Sequence, residues 1–269
     1  MVWIMGVGIA LGLAVFSHRY RWWRSPVPDS RPRILMYHMV AEHRPGAAFN
    51  KLRVPPARFE EQVKWLADHG YYFALMSELA NPDVLPDKSV AITFDDGYED
   101  NYLNAHPVLV KYRARATLYL VEDRFDRDWS VSKKSHHDSG ELKAEAKLKD
   151  DQVVEMIASG VWALGGHTAT HANLNKIDSI AKGREIGGSK KRLEQKFGVR
   201  LSSFAYPFGI FTEDDVPYVK EAGYDTAVST IEGIDVSVTE SRFALKRIKI
   251  SGKDGKLAFL LRMRTGKRG

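Results

Sequence analysis

Two adjacent carboxylates, in Thr93-Phe94-Asp95-Asp96-Gly97, and two imidazoles four residues apart, in His167-Thr168-Ala169-Thr170-His171, are residue types that build a metal-assisted hydrolytic site. The run 89–94 (SVAITF) is apolar and rich in β-formers, so it reads as a buried strand delivering both aspartates at its carboxyl end, with Gly97 permitting a sharp turn. Successive strand residues face opposite sides. One carboxylate can therefore bind a cation while its neighbour accepts a proton. A helical turn through 167–171 would bring His167 and His171 onto one face. One of the two carboxylates with His167 and His171 makes a three-ligand set that leaves coordination positions for water and substrate, as a catalytic site requires. Either motif alone is also what a solvated turn or a surface helix produces; their joint presence carries the reading.

The two motifs resemble the first and second motifs of the polysaccharide deacetylase family, the NodB-like carbohydrate esterases of family 4, over roughly residues 33–251. Ser203-Phe204-Ala205-Tyr206-Pro207-Phe208-Gly209 fits the same resemblance as a short strand entering a Pro/Gly turn. In the family's commonest version this segment carries an arginine that orients the catalytic aspartate. Ser203 and Ala205 stand at the matching positions, which leaves the orientation of Asp95 without a source. The Tyr-Pro-Phe-Gly form is closer to the subgroup that deacetylates poly-N-acetylglucosamine. That subgroup also gives a role to His38, at the end of the apolar run Ile34-Leu35-Met36-Tyr37-His38. After Ala172 the chain has no histidine, so the general acid must come from earlier, and the resemblance assigns it to His38.

The chemistry expected is hydrolysis of the N-acetyl amide of an N-acetylhexosamine. Amides are poor electrophiles with poor leaving groups, so a Lewis acid, an activated water, an oxyanion clamp and a proton donor are all required. One divalent ion on Asp96, His167 and His171 would supply the first. Zinc is the first expectation, with cobalt, nickel or iron also suited to these donors. Asp95 would be the base, a backbone N–H at Phe208 would face the oxyanion and His38 would protonate the amine. Tyr206 and Trp129 are candidate substrate-binding residues. The substrate is a polysaccharide or a lipid-linked glycan precursor. The alternatives are deacylation or deformylation of a polyprenyl-phosphate-linked aminosugar, or glycan binding by an inactive relative.

Positioning these residues requires strands that end at one place. Strand-like runs 34–38, 90–94, 116–121, 162–166, 203–206 and 225–229 alternate with helical runs 57–69, 102–112, 151–158, 179–197 and 213–221. Repeated βα units imply a parallel sheet with helices outside. The resemblance narrows this to a distorted, incomplete (β/α) barrel of about seven strands with its site at the carboxyl ends. Between Glu122 and Asp150 the alternation stops. This charged excursion reads as a surface loop or a substrate-gripping one, with Trp129 able to stack on a sugar. His136 and His137 are not assigned to the metal, because three ligands already complete a catalytic set.

Composition bounds the rest. The chain has 269 residues, net charge +6 and no cysteine, which excludes disulfides, zinc–thiolate sites and thiol nucleophiles. Much of the basic excess is terminal, at Arg19, Arg21, Arg24, Arg31 and Arg33 and at Arg262, Arg264, Lys267 and Arg268, a layout suited to a membrane surface rather than nucleic acid. The expected organisation is a membrane anchor, or an uncleaved signal-like segment, at 1–24, a catalytic domain at 33–251 and a basic tail at 252–269. The apolar run 2–16 would span ~22 Å as a helix, slightly short of a ~30 Å hydrocarbon core, with Trp22 and Trp23 at the interface. Its flanking charge would put the barrel on the cytoplasmic face, whereas the resembling family commonly faces outward. Partners expected are an acetylated aminosugar glycan or lipid-linked aminosugar, and membrane lipid through the N-terminal helix. Oligomeric state is not legible.

Overall fold

The computed structural model describes residues 12–18, 22–129 and 139–267. Its centre is a ring of seven parallel strands: β1 (Arg33–Tyr37), β3 (Ser89–Asp96), β4 (Ala116–Leu120), β5 (Trp162–Gly166), β6 (Ser203–Ala205), β7 (Thr226–Glu232) and β8 (Leu245–Lys249). The order runs β1-β8-β7-β6-β5-β4-β3, and β1 pairs with β3 to close it. A two-residue strand, β2 (Tyr72–Phe73), extends the line at the amino end of β3. The ring is distorted where β5 meets β6, joined only at Gly166 and Phe204. The alternation anticipated the parallel strands with helices outside, and the resemblance anticipated their closure into a distorted (β/α) barrel of seven strands.

The strand period divides the core in two. Leu35 and Tyr37 of β1 and Ile92 and Phe94 of β3 face outward and pack with Phe59, Val63 and Leu66 of the helix Pro56–Asp68. Tyr37 lies 5.3 Å from Phe59 and 5.4 Å from Phe94 between ring centres. Each such apolar side chain contributes about 1.5–3 kcal/mol on burial. That helix opens on Pro56, whose fixed φ and missing N–H suit a first turn. Ile34, Ala91, Tyr119, Ala205, Val228 and Leu245 face inward and fill the lower barrel. Above them lies a polar belt: the Tyr119 and Ser203 hydroxyls are 2.7 Å apart, and Thr226 Oγ1 donates to Ser203 Oγ at 2.9 Å.

The helices hold nearly where the sequence places them, with local changes of pitch. The run 102–112 begins as a π-turn, Asn101–Ala105, before the α-helix His106–Tyr112, and 179–197 carries a π-turn at Arg184–Gly188. Within the segment read as a basic tail, the helix Lys256–Thr265 buries Ala258, Phe259, Leu261 and Met263. Phe259 meets Trp65 edge-on at 5.7 Å.

The expected membrane anchor, and the membrane location that followed from it, are corrected here. Among the described residues no helix is long and apolar enough to cross a membrane. Residues 12–18, which include the end of the apolar run 2–16, are helical. The rest of that run, residues 2–11, lies outside the described residues, as do His136 and His137.

Candidate active site

At the carboxyl end of the barrel a cavity of about 390 Å³ opens among Met36, His38, Asp95, Asp96, Trp129, His167, His171 and Phe208. Both aspartates reach it, which simple alternation does not allow. Asp95 points inward as the strand period requires. Asp96 follows it because its backbone adopts φ +79°, a left-handed conformation that turns the second carboxylate over the same opening. Gly97, also left-handed at φ +82°, continues the turn, and a methyl group there would strike Leu120.

The two histidines meet differently from the helical turn anticipated. Residues 167–171 form a loop, with Thr168 at φ +66° and His171 at φ +56°. Non-glycine residues rarely adopt such angles, and each costs about 1–3 kcal/mol that surrounding contacts must offset. Here Thr168 Oγ1 accepts from Ala172 N at 3.2 Å, while Thr170 donates its N–H and hydroxyl to Glu185, both at 2.9 Å.

His167 Nε2 and His171 Nε2 lie 3.3 and 3.2 Å from the same oxygen, Asp96 Oδ1. The three ligand atoms all lie within 4.8 Å of one another, and all three residues are buried. Asp96 Oδ1 is a buried atom with no hydrogen-bond donor of its own. His167 Nδ1 lies 2.7 Å from Ala205 O, where a ring N–H donates and leaves the Nε2 lone pair aimed at Asp96. Burial alone would push the Asp96 carboxyl up, but the two imidazoles beside it hold it well below its ordinary value. Burial lowers His171, against the pull of Asp96, and so favours the neutral ring. An orphaned carboxylate oxygen facing two imidazole lone pairs is unfavourable on its own and fits a shared divalent cation.

Asp95 is held by a residue that the motifs do not reveal. Arg247, on β8 and fully buried, donates Nη1 to Asp95 Oδ1 at 2.6 Å and Nη2 to Oδ2 at 2.7 Å. The guanidinium is itself fixed, with Nε donating to Ser229 O at 2.9 Å and Nη1 to Thr93 Oγ1 at 3.1 Å. Burial tends to raise the Asp95 carboxyl; the charge and paired hydrogen bonds of Arg247 outweigh it and hold it below its usual value. The arginine absent from 203–205 is thus supplied from another strand. Its only sequence trace is the alternating run 245–250 (LKRIKI), in which a strand pattern carries a cation at an inward position.

The other candidates divide. His38 follows β1, is partly exposed, and places Nε2 4.0 Å from Asp95 Oδ2. Phe208 lines the cavity in a left-handed conformation, φ +59°, with its ring edge-on to His171 at 4.4 Å. Trp129 is only 3% exposed and packs 4.9 Å from the His171 ring, so it forms a wall beside that imidazole rather than an open platform. Tyr206 is not brought to the cavity. It stacks on Phe211 at 4.1 Å and donates its hydroxyl to Phe243 O at 3.1 Å, because the residue before Pro207 still faces the outer core.

The excursion after β4 returns to the site at 139–149. Arg53, fully buried, donates to Glu141 at 2.7 Å and Glu145 at 2.5 Å, joining this segment to the one after β1. Lys147 donates to the carbonyls of Leu142 and Glu145 and lies over the Tyr98 and Trp129 rings, at 4.8 and 4.9 Å.

With this geometry in hand, comparison with known proteins gives one answer. The polysaccharide deacetylase family model matches residues 83–227. YxkH of Bacillus subtilis is 32% identical over 234 residues, covering 86% of this chain and 75% of its own length. The poly-β-1,6-N-acetyl-D-glucosamine N-deacetylase of Staphylococcus aureus is 31% identical over 214 residues, covering 74% and 68% respectively. Among solved structures, a deacetylase from Streptococcus pyogenes in complex with acetate superposes with TM-score 0.72 at 27% identity, over 89% of this chain and 99% of its own. A polysaccharide deacetylase from Bacillus cereus gives 0.69 at 30%, over 83% and 66%. The chain belongs to the polysaccharide deacetylase family, and with it to the hydrolases of N-acetyl amide bonds.

Proposed function

We propose that this protein is a metal-dependent N-deacetylase acting on N-acetylhexosamine units of a glycan polymer. The observation that carries the reading is the convergence of Asp96, His167 and His171 on one point, beside an aspartate held by a buried arginine and open to a cavity. The Staphylococcus relative supports a polymer of N-acetylglucosamine as substrate. Nothing in the site or the relatives favours a lipid-linked sugar.

Asp96, His167 and His171 would hold the cation, zinc on the donor set, with cobalt, nickel or iron also accommodated. When bound, the ion supplies Lewis acidity to the amide carbonyl and acidifies water at the site. Asp95, ionised and fixed by Arg247, accepts the proton of the attacking water. Its depressed proton affinity makes Asp95 a weak base, and the paired bonds from Arg247 keep its carboxylate ionised and fixed toward the cavity. The backbone N–H at Phe208 faces the developing oxyanion, and His38 delivers a proton to the departing amine. Trp129 closes one side against water.

The test is acetate release from β-1,6-linked N-acetylglucosamine oligomers by the full chain, with chelation and then metal readdition. Activity lost and restored supports the reading. Activity indifferent to chelation, with no metal in the purified protein, overturns it.

A further inference from the structure

Beyond the catalytic groups, the cavity is lined by Lys51, Lys249, Ser251, Thr230 and Arg262. Its cations are unequal. Arg262 is paired with Asp254 at 2.8 Å and with Glu232. Lys51 and Lys249 have no side-chain hydrogen bond or ion pair among the described residues. Lys249 lies two residues beyond Arg247 on β8, so both project to the same side of the strand, Arg247 onto Asp95 and Lys249 nearer the opening. Lys51, on the turn Asn50–Leu52, is brought beside it where Gly252 N donates to Lys51 O at 3.0 Å. Gly252 has no room for a side chain there, since a methyl group would collide with Arg53 O. Burial, then the charges of Arg247 and Lys51, lower the proton affinity of Lys249, a sign that the rim is short of negative charge. Among the described residues the only carboxylates lining the cavity are Asp95, held by Arg247, and Asp96, which faces the two imidazoles.

We propose that Lys249 and Lys51 form a specificity subsite for an anionic substituent, carboxylate or phosphate, on the sugar adjoining the one deacetylated. The inference rests on the deacetylase reading. Two unpaired ammonium groups at the rim of a substrate cavity gain a partner from an anionic neighbour and repel an aminated one, for which the lining residues offer no free carboxylate. A neighbouring unit that has already lost its acetyl group is therefore a poor occupant, and deacetylation should be spaced along the glycan.

The experiment compares four tetrasaccharides of equal length on the metal-loaded full chain: neutral N-acetylglucosamine, the same with one free amine, N-acetylglucosamine alternating with glucuronate, and a 6-O-phosphorylated form. Binding is read by calorimetry and turnover by acetate release, at low and at 0.5 M salt. The expected result is a Kd and KM roughly tenfold lower for one or both anionic forms than for the neutral one, and weakest binding for the aminated form. The two anionic arms tell carboxylate from phosphate. Lys249→Gln and Lys51→Gln should each compress that order through KM, and high salt should do the same, while Lys64→Gln on the outer surface should preserve it. Equal affinity for neutral and anionic forms, or an order untouched in Lys249→Gln, overturns the subsite. Because binding is read separately, absence of turnover on every tetramer would count against the deacetylase reading, and the charge order would still decide the subsite.

Discussion

At the scale of single residues, the site depends on two buried carboxylates with opposite obligations. Asp95→Asn should keep the metal and lose turnover, whereas Asp96→Asn should lose both; equal metal content in the two variants would sink this division, and metal analysis with acetate release decides it. Arg247 is the residue that would position Asp95 as the proposed base. Replacing it with methionine leaves a buried carboxylate unpaired, which costs about 3–5 kcal/mol, and frees the base to rotate, which should cost about a hundredfold in kcat. Arg247→Lys should recover much of the stability and little of the rate, since an ammonium cannot form the paired bonds. Wild-type kcat in Arg247→Lys would remove the positioning role. A separate carboxyl, Asp100, accepts from Val40 N at 2.7 Å, yet burial, aided by the charge of Glu145, pushes it up to about 7. A carboxyl with a folded value above its unfolded one contributes stability at low pH that is lost as pH rises through the folded value. Denaturant unfolding of wild type should therefore lose about 2 kcal/mol between pH 5 and pH 8.5 relative to Asp100→Asn. Parallel pH profiles for the two proteins would refute it.

Elements carry what residues cannot. The sequence yields β1, β3, β4, β5, β6 and the start of β7 because these are short strand-like runs bounded by turn residues, and it singles out the candidate metal-site residues because their types are scarce and their spacing specific. It does not yield β8, whose run 245–250 looks like a charged surface segment until the inward face proves to hold Arg247. Nor does it yield the left-handed angles at Asp96, Thr168 and His171, since side chains poorly suited to such backbone give no local signal; only the closed barrel and its loops impose them. The same limit applies to Arg53. It lies outside every motif, yet it joins the loops after β1 and β4 through Glu141 and Glu145. Arg53→Met should leave metal content intact, raise KM for oligomeric substrate more than it lowers kcat, and speed amide exchange across 139–147. Unchanged exchange in that segment would show that other contacts hold it.

On the scale of the whole molecule the barrel is layered: an apolar plug of Ile34, Ala91 and Leu245, a hydroxyl belt of Tyr119, Ser203 and Thr226, then the charged site at the carboxyl ends. A folded chain that presents Asp96 to two imidazoles without a cation keeps polar groups buried and unsatisfied, so metal should stabilise the fold as well as enable the reaction. A cation that binds only the folded state adds about 2.7 kcal/mol at a hundred times its Kd. For a chain of this size that corresponds to a rise of roughly 5–10 °C in Tm. The pH dependence follows from the ligands. His171 is lowered by burial, and a group with a depressed folded value contributes stability that is present above its unfolded value, near 6.5, and lost as pH falls through the folded one. Protonation of the same imidazole also removes a lone pair from the metal. The Tm increment from zinc should therefore be large at pH 7.5, shrink below about pH 6 as His171 takes up a proton, and vanish at both values in Asp96→Asn. Thermal melts with and without chelator at the two pH values measure it. An increment that persists in Asp96→Asn would place the stabilising ion elsewhere on the molecule.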